Sequence, residues 1–401
     1  MSYNHFTENL LEIQDLSDIN LKKEDGICHF YLKHKRRECD CPSCGTKTDR
    51  IHDYRQQIIK DMDIQGAPVF LHLTKRRYVC PDCGKRFYEP TPYIAKYARM
   101  TKRLELAILD DLANVKTYTD IAKDHGVSIT TVERIFDIVQ YPKPEKLPVA
   151  LSIDEFKGNT GGEKFNCIIA DPLKHEILDI LPKRYEYSLL PYFLQYSEEE
   201  RNQVEYFISD MWKPYQDTAQ TVFKFSIKVI DKYHWIRQII WAFERVRKDI
   251  QKHMCPEKRI YYKHSRNLLL KPFALLSDED KQAVNVMLYY SADLSTAYFY
   301  KEEFQKIYRC NSLDKAKELM NEWIDSASEC GVKAIEYCAK TMLNWKTEIL
   351  NSFKTSCTNG FIEGCNNKIK VLKRISYGYR NFKRFRNRIL FIFNNSNKAT
   401  A

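Results

Sequence analysis

Two copies of one short motif constrain this chain more than anything else in it: Cys41-Pro-Ser-Cys44-Gly45 and Cys80-Pro-Asp-Cys83-Gly84. Four thiolates in CxxC pairs are the donor set of a structural zinc ion, and the glycine after each pair frees the backbone to curl its amides toward the sulfurs. Between the pairs, Val69 to Tyr78 alternates apolar and polar side chains, the pattern of a strand with one face covered. A β-hairpin carrying the knuckles together is therefore expected, a zinc ribbon over 38–92 with one Zn²⁺ held by Cys41, Cys44, Cys80 and Cys83. A redox dithiol competes with this reading, but it needs no second copy and sits at a helix start. Cys39 is a spare, and the remaining cysteines are scattered singly, often among apolar neighbours as at Cys167, which argues against a disulfide framework.

At 401 residues the chain is too long for one ordinary core, and domain sizes of roughly 100 to 200 residues imply several units. Ahead of the ribbon, 1–37 reads as a short helix and a strand at Ile27 to Leu32 without evident chemistry. Behind it, in 98–141, an amphipathic helix from Thr101 to Asn114 precedes a helix-turn-helix pattern. There Ala122 permits a close crossing, Gly126 makes the turn, Val127 packs inward and Ser128 caps a helix whose Val132, Ile135 and Phe136 face the core. Ser128, Thr130, Thr131 and Arg134 would then face a DNA major groove, with Arg76 and Arg77 of the ribbon on phosphates. A plain helical hairpin shares the apolar spacing; the Ala, Gly and Val-Ser positions together favour DNA.

The net charge of +11 points the same way, since a basic surplus suits a polyanionic partner. Most of it lies after Glu363, where no acid occurs but Lys368, Lys370, Lys373, Arg374, Arg380, Lys383, Arg384, Arg386, Arg388 and Lys398 do. A solvated basic face is the ordinary reading of such a run. We expect Lys383, Arg384 and Arg386 also to meet DNA, with Tyr377, Tyr379, Phe382 and Phe385 packing the segment down. The polar, acidic start is unlike a signal peptide and no apolar run reaches membrane-spanning length. A soluble intracellular protein is expected.

Past the proline-rich linker at 141–148, three acids stand out: Asp154, Asp210 and Glu363. The first two close short apolar runs that read as buried strands, and α/β sheets place their chemistry at such strand ends. Glu363, Asn366, Asn367 and Lys370 recur at helical spacing and share one face. Carboxylates from separate elements suit hard cations that keep positions open for water and phosphate. Taken singly, each acid is as well explained as a turn or cap residue. Around them, strands at Phe165–Ala170 and Ile177–Leu181 form a meander with the Asp154 strand. The Asp210 strand, a strand at Phe225–Ile230 and a helix from His234 to Ile250 complete a ribonuclease-H-like mixed sheet over 148–251. Residues 252–345 read as an all-helical insertion, with the last part of the core at 346–398. The fold class is thus a multidomain α/β chain, with a β ribbon and an α helix-turn-helix ahead of the split core.

On these residues, from the CPxCG ribbon to Asn359–Lys370 and the Tyr377–Phe382 segment, the chain resembles the DDE transposases of bacterial insertion sequences of the ISL-three group. The resemblance implies that Asp154, Asp210 and Glu363 bind two Mg²⁺ (or Mn²⁺) ions and that the enzyme cuts and joins DNA at element ends. It also implies that Lys370 contacts substrate DNA, with a homodimer assembled on double-stranded DNA in the bacterial cytoplasm. Ser209 to Tyr215 is similar to the family's second motif; Asp231 to His234 is similar to its Asp-x-Phe-His segment, with Tyr233 at the Phe position. Asn367 and His234 are auxiliary candidates, the latter equally well a structural histidine. One rival is a non-catalytic zinc-ribbon and helix-turn-helix regulator. Another, an RNA-guided nuclease, is disfavoured because both CxxC pairs here precede Asp154.

Overall fold

Asp25-Gly26 and Gln65-Gly66 have positive φ at both residues, the backbone of the two-residue turn whose twist suits an antiparallel hairpin. In the computed structural model, which describes residues 3–396, these turns close two hairpins. One joins β1 (Leu16–Glu24) to β2 (Ile27–His34) behind a first helix α1 (Tyr3–Leu11). The short pair β3 (Cys39–Asp40) and β4 (Lys47–Thr48) follows, and then the second hairpin of β5 (Ile51–Ile64) and β6 (Ala67–Val79). With β7 (Arg86–Tyr88) on β6, the sheet runs β1-β2-β6-β5. The β2–β6 pairing is parallel, so the segment before the ribbon is part of the ribbon's own sheet rather than a separate piece. One face of this sheet is the core: Phe30, Leu32, Ile59, Val69, Leu71 and Leu73 pack with Leu11, Ile13 and Ile94.

The three helices α2 (Lys102–Leu112), α3 (Tyr118–Asp124) and α4 (Ile129–Phe136) follow. Thr101, Thr117 and Ser128 cap them by accepting from the backbone N–H three residues on, which satisfies donors left unpaired at helix starts. Leu104, Ile108, Leu112, Ile121, Ala122, Val132, Ile135 and Phe136 form their core. Gly126 holds φ +57 in the turn, as expected for the helix-turn-helix.

The chain divides after Tyr141, inside the expected linker. In the second unit β8 (Ala150–Phe156), β9 (Asn166–Asp171) and β10 (Glu176–Leu181) form an antiparallel meander. After α5 (Glu186–Phe193) and α6 (Glu198–Asn202), β11 (Tyr206–Ser209) pairs parallel to β8; after α7 (Lys213–Val222), β12 (Ile227–Ile230) pairs parallel to β11. The order β10-β9-β8-β11-β12 is that of the ribonuclease-H-like sheet expected from the strand pattern.

The helix α8 (Lys232–Lys252) leads into α9 (Pro256–His264), α10 (Arg266–Leu270), α11 (Asp278–Tyr289), α12 (Ala292–Tyr308), α13 (Leu313–Ala327) and α14 (Lys333–Asn344). Trp235, Ile239, Phe243 and Val246 of α8 share one apolar cluster with these helices, so α8 is as much the spine of the insertion as a helix of the core. The chain returns through α15 (Lys346–Asn351) and α16 (Gly360–Ile375) to α17 (Phe382–Ser396).

Two expectations about the tail need correction. Residues from Asn387 on group with the first unit and not with the core: Asn387 donates to the Val139 carbonyl, and Phe391 meets Phe136 edge-on at 5.7 Å. Nor is the tail a uniform solvated face, because Arg388 is fully buried, donating to the carbonyls of Asn114 and Lys116. Lys398 lies outside the described residues.

Candidate functional site

The two knuckles are built alike. Cys41 N–H donates to Thr46 O and Gly45 N–H to Cys41 O, both at 2.9 Å; Cys80 N–H donates to Lys85 O at 2.9 Å and Gly84 N–H to Cys80 O at 3.1 Å. Each turn needs a left-handed residue, supplied by Gly45 at φ +77 and Gly84 at φ +67. The Sγ atoms of Cys41 and Cys83 lie 3.6 Å apart, and Cys44 is 3.5 Å from both Cys80 and Cys83. A zinc tetrahedron with 2.3 Å Zn–S bonds has edges of about 3.8 Å, so the donor set fits a single zinc. Cys39, buried nearby, is outside the group.

In the core, β8 and β11 deliver three carboxylates with oxygens within 4.8 Å of one another: Asp154, Glu155 and Asp210. Asp154 Oδ1 accepts from Glu155 N–H at 2.8 Å and its Oδ2 from Asn366 Nδ2 at 2.9 Å. Asp210 Oδ1 is buried without a hydrogen-bond partner among the described residues. Burial pushes the Asp154 carboxyl up to about 7; the Glu155 N–H opposes this, and the charges of Glu155 and Asp231 add to it. Burial, then the charges of Glu155 and Asp154, pushes Asp210 up to about 8 against the nearby Arg184. Crowded, half-buried anions with an unpartnered oxygen are what a hard divalent cation compensates, so the donor set fits Mg²⁺ or Mn²⁺.

Glu155 escaped the sequence reading, because neighbours on a strand ordinarily face opposite ways. The signal was the Asp-Glu pair itself at the end of an apolar run. Both oxygens of Glu155 are engaged: Arg184 Nη1 lies 2.5 Å from Oε1, and the Tyr215 hydroxyl donates to Oε2 at 3.1 Å. Arg184, also missed, lies over the rings of Trp212 (4.4 Å) and Phe165 (4.6 Å).

Glu363 is not in this cluster. It sits exposed in the first turn of α16, a helix docked on the core by three contacts near its start. Asn359 N–H donates to Asp231 Oδ1 at 2.9 Å, Ser152 Oγ bonds to Asn359 Oδ1, and Asn366 reaches Asp154. The amide that orients Asp154 is therefore that of Asn366. Asn367 is exposed, with Lys370 Nζ 3.4 Å from its Oδ1. His234 is half-buried in the first turn of α8; burial lowers its pKa while the charges of Asp231, Glu155 and Glu363 oppose that shift.

Among the expected DNA contacts, Ser128, Thr130 and Arg134 are exposed on α4 and Thr131 partly so, with Ser128 Oγ and Thr131 Oγ1 bonded at 2.9 Å. Arg77 is half-buried, 3.4 Å from Asp53. Arg76 is not available to phosphate: it is 3% exposed, paired with Glu89 at 3.1 Å and donating to His34 O at 2.6 Å. Arg386 is likewise committed, its Nε 2.6 Å from the buried Asp179. Lys370 and Lys383 are exposed and Arg384 partly so. Of the tail aromatics, Phe385 is buried between Tyr379, stacked at 4.6 Å, and Phe156 at 6.1 Å, whereas Tyr377 is fully exposed.

Three family models match the chain. One, described as "Transposase", is that of the ISL3 DDE domain and covers residues 151–389. A second, the zinc-finger of transposase IS204/IS1001/IS1096/IS1165, covers 37–83, and a third, the helix-turn-helix domain of transposase family ISL3, covers 89–137. Among curated proteins, the transposase for insertion sequence element IS1001 of Bordetella parapertussis is 26% identical over 367 residues, 89% of each chain. Ribbon, helix-turn-helix and acid-bearing mixed sheet together define a transposase, a DNA-binding and DNA-processing enzyme with a zinc-ribbon cysteine cluster. The chain belongs to the ISL3 family of transposases. No helix among the described residues is long and apolar enough to cross a membrane.

Proposed function

We propose that this transposase binds the double-stranded ends of its own insertion sequence, then cuts and joins DNA by in-line phosphoryl transfer in the core, acting as a homodimer on paired ends. The observation that carries the reading is the meeting of Asp154 and Asp210 from two separate strands, with Asp210 Oδ1 left buried and unpartnered. Asp154 and Asp210, with Glu363 joining from the rim of α16, would hold two Mg²⁺ or Mn²⁺ ions. Bound there, such ions lower the pKa of an attacking oxygen and stabilise a leaving one.

The chain's own groups do the positioning. Asn366 fixes the rotamer of Asp154. Arg184 and Tyr215 engage both oxygens of Glu155, so Glu155 is a tied neighbour of the triad and not a fourth member. Lys370, exposed two turns beyond Glu363, is placed to neutralise a phosphate. His234, within the fields of Glu155 and Glu363, would orient a phosphate or a water. On the DNA-binding side, Thr130 and Arg134 on the exposed face of α4 would read base edges, while Arg77, Lys383 and Arg384 hold the backbone.

The test is to incubate the purified full chain and Mg²⁺ with duplexes carrying the element's ends. Strand cleavage and joining are expected, lost in Asp154→Asn and Asp210→Asn with end binding retained. Unimpaired cutting by both variants would leave a DNA-binding regulator as the reading.

A further inference from the structure

The N-terminal sheet has a second face. Its inner side is the apolar core, but its outer side carries Tyr54 (51% exposed), Ile58 (56% exposed), Tyr31, His29, Phe70 and His72 among lysines. The pairing registers set these residues in rows. Lys22 on β1 opposes His29 on β2, His29 opposes Phe70 on β6, and Phe70 opposes Lys60 on β5. The next row is Asn20, Tyr31, His72 and Ile58.

Three of the lysines rest on rings: Lys22 on Tyr31 at 5.5 Å, Lys33 on Tyr54 at 5.4 Å and Lys60 on Phe70 at 5.3 Å. A ring under each ammonium restrains a long side chain before any ligand arrives, so less entropy is lost when an anion binds. Lys22 and Lys33 make no ion pair among the described residues, and Lys60 is 3.7 Å from Asp63. The acids near them are Asp63 beside Lys60, and Asp18 and Glu24 on the edge strand β1.

We propose that this face is a second DNA surface, which grips the phosphates of the duplex beside the segment met by the helix-turn-helix. The inference rests on the DNA-binding reading above and extends it to residues that no family model covers before position 37. Three features favour a duplex backbone. Lys60 is only 13% exposed beside Asp63, but Lys22 and Lys33 stand one strand spacing and four residues apart, about 14 Å, too far for one small anion to bridge. The rings are already engaged: Tyr31 stacks on His72 at 4.5 Å with Lys22 above it, and Phe70 lies between His29 and Lys60. They serve as props for ammonium groups and not as open platforms for unpaired bases, which would need bare ring faces. Finally, a Cβ at Gly126 would lie 3.0 Å from Lys60 Nζ. The lysine array therefore runs up to the turn that precedes α4.

The experiment compares the full chain with its Lys22→Ala/Lys33→Ala variant, after zinc content and unfolding temperature show both to be folded. Binding is measured against salt on two duplexes of the element's terminal sequence. One is trimmed to the footprint that Arg134→Ala disturbs, and one extends past it. Two lost phosphate contacts are expected to lower the slope of log K against log salt by about 1.8 on the long duplex, at about 0.9 each, and to leave the short one nearly unchanged. An unchanged slope on the long duplex overturns the proposal. So does an equal loss on both duplexes, which would mean general surface charge. If Arg134→Ala weakens binding and the lysine pair does not, the sheet inference alone fails; if neither duplex binds the unaltered chain, the DNA-end reading fails first.

Discussion

The zinc ribbon and the acid cluster are both sites of convergent ligands, yet they are assembled in opposite ways. The four cysteines come from two identical turns, each shaped by its own backbone hydrogen bonds and its own left-handed glycine. The side-chain link between them is short: Thr46, beside Cys44, donates to Asp82 of the other knuckle at 2.7 Å. The carboxylates come from β8 and the end of β11, and what orients them arrives from far along the chain: Asn366 on α16 for Asp154, and Arg184 and Tyr215 for Glu155. A site built from local turns is complete once its turns form and its metal binds. A site built across a sheet depends on every element that docks there.

Removing the zinc should expose this difference most strongly. Metal binding in such sites is folding energy, on the order of 10 kcal/mol, so Cys80→Ser or chelation should abolish the cooperative unfolding of the ribbon sheet. Calorimetry should still show the transition of the core, and loss of both transitions would mean that the two sites are not independent. Next in size is Arg76→Ala, which strands Glu89 in the ribbon interior and should cost about 3–5 kcal/mol in urea unfolding. Arg77→Ala, which loses a partly exposed pair with Asp53, should cost about 1 kcal/mol or less, while weakening DNA binding without regard to sequence. Equal stability effects from the two arginines would contradict the burial of Arg76.

In the core, Asn366→Ala leaves Asp154 Oδ2 without its donor and should destabilise by about 1–3 kcal/mol, with Asn367→Ala near zero. That contrast, read by denaturant midpoint, tests whether orientation of the acid site comes from α16. Of similar size but confined to binding, Arg134→Ala should relax sequence preference by about 1–3 kcal/mol at a contacted base pair. A uniform loss over all sequences would move Arg134 to the backbone contacts.

The same division between local and distant explains what could be read from the residues alone. The knuckles, the capped helix-turn-helix and the sheet order follow from spacing over a few residues, and each is present. β1 was missed because only Leu16 and Ile19 of its nine residues are buried, so it shows no alternation. Arg76, Arg386 and Arg388 read as surface charge, since their partners are Glu89, Asp179 and the carbonyls of Asn114 and Lys116, remote in sequence. The same remoteness hid the split allegiance of α17 and the pairing of Glu155 with Arg184. Asn366 and Asn367 share a helix face by spacing, and only the docked helix distinguishes the one that meets Asp154.

Two acids compete for the third position: Glu363 stands in the α16 motif, and Glu155 stands in the cluster with Asp154 and Asp210. Mg²⁺-dependent cleavage of duplexes bearing the element's ends should be measured for Asp154→Asn, Asp210→Asn, Glu363→Gln and Glu155→Gln, with end binding followed in parallel. The first three are expected to lose cleavage while binding DNA normally, and Glu155→Gln still to cut, because the Glu155 carboxylate is already held by Arg184 and Tyr215. Cleavage lost in Glu155→Gln and kept in Glu363→Gln would contradict this and make Glu155 the third ligand.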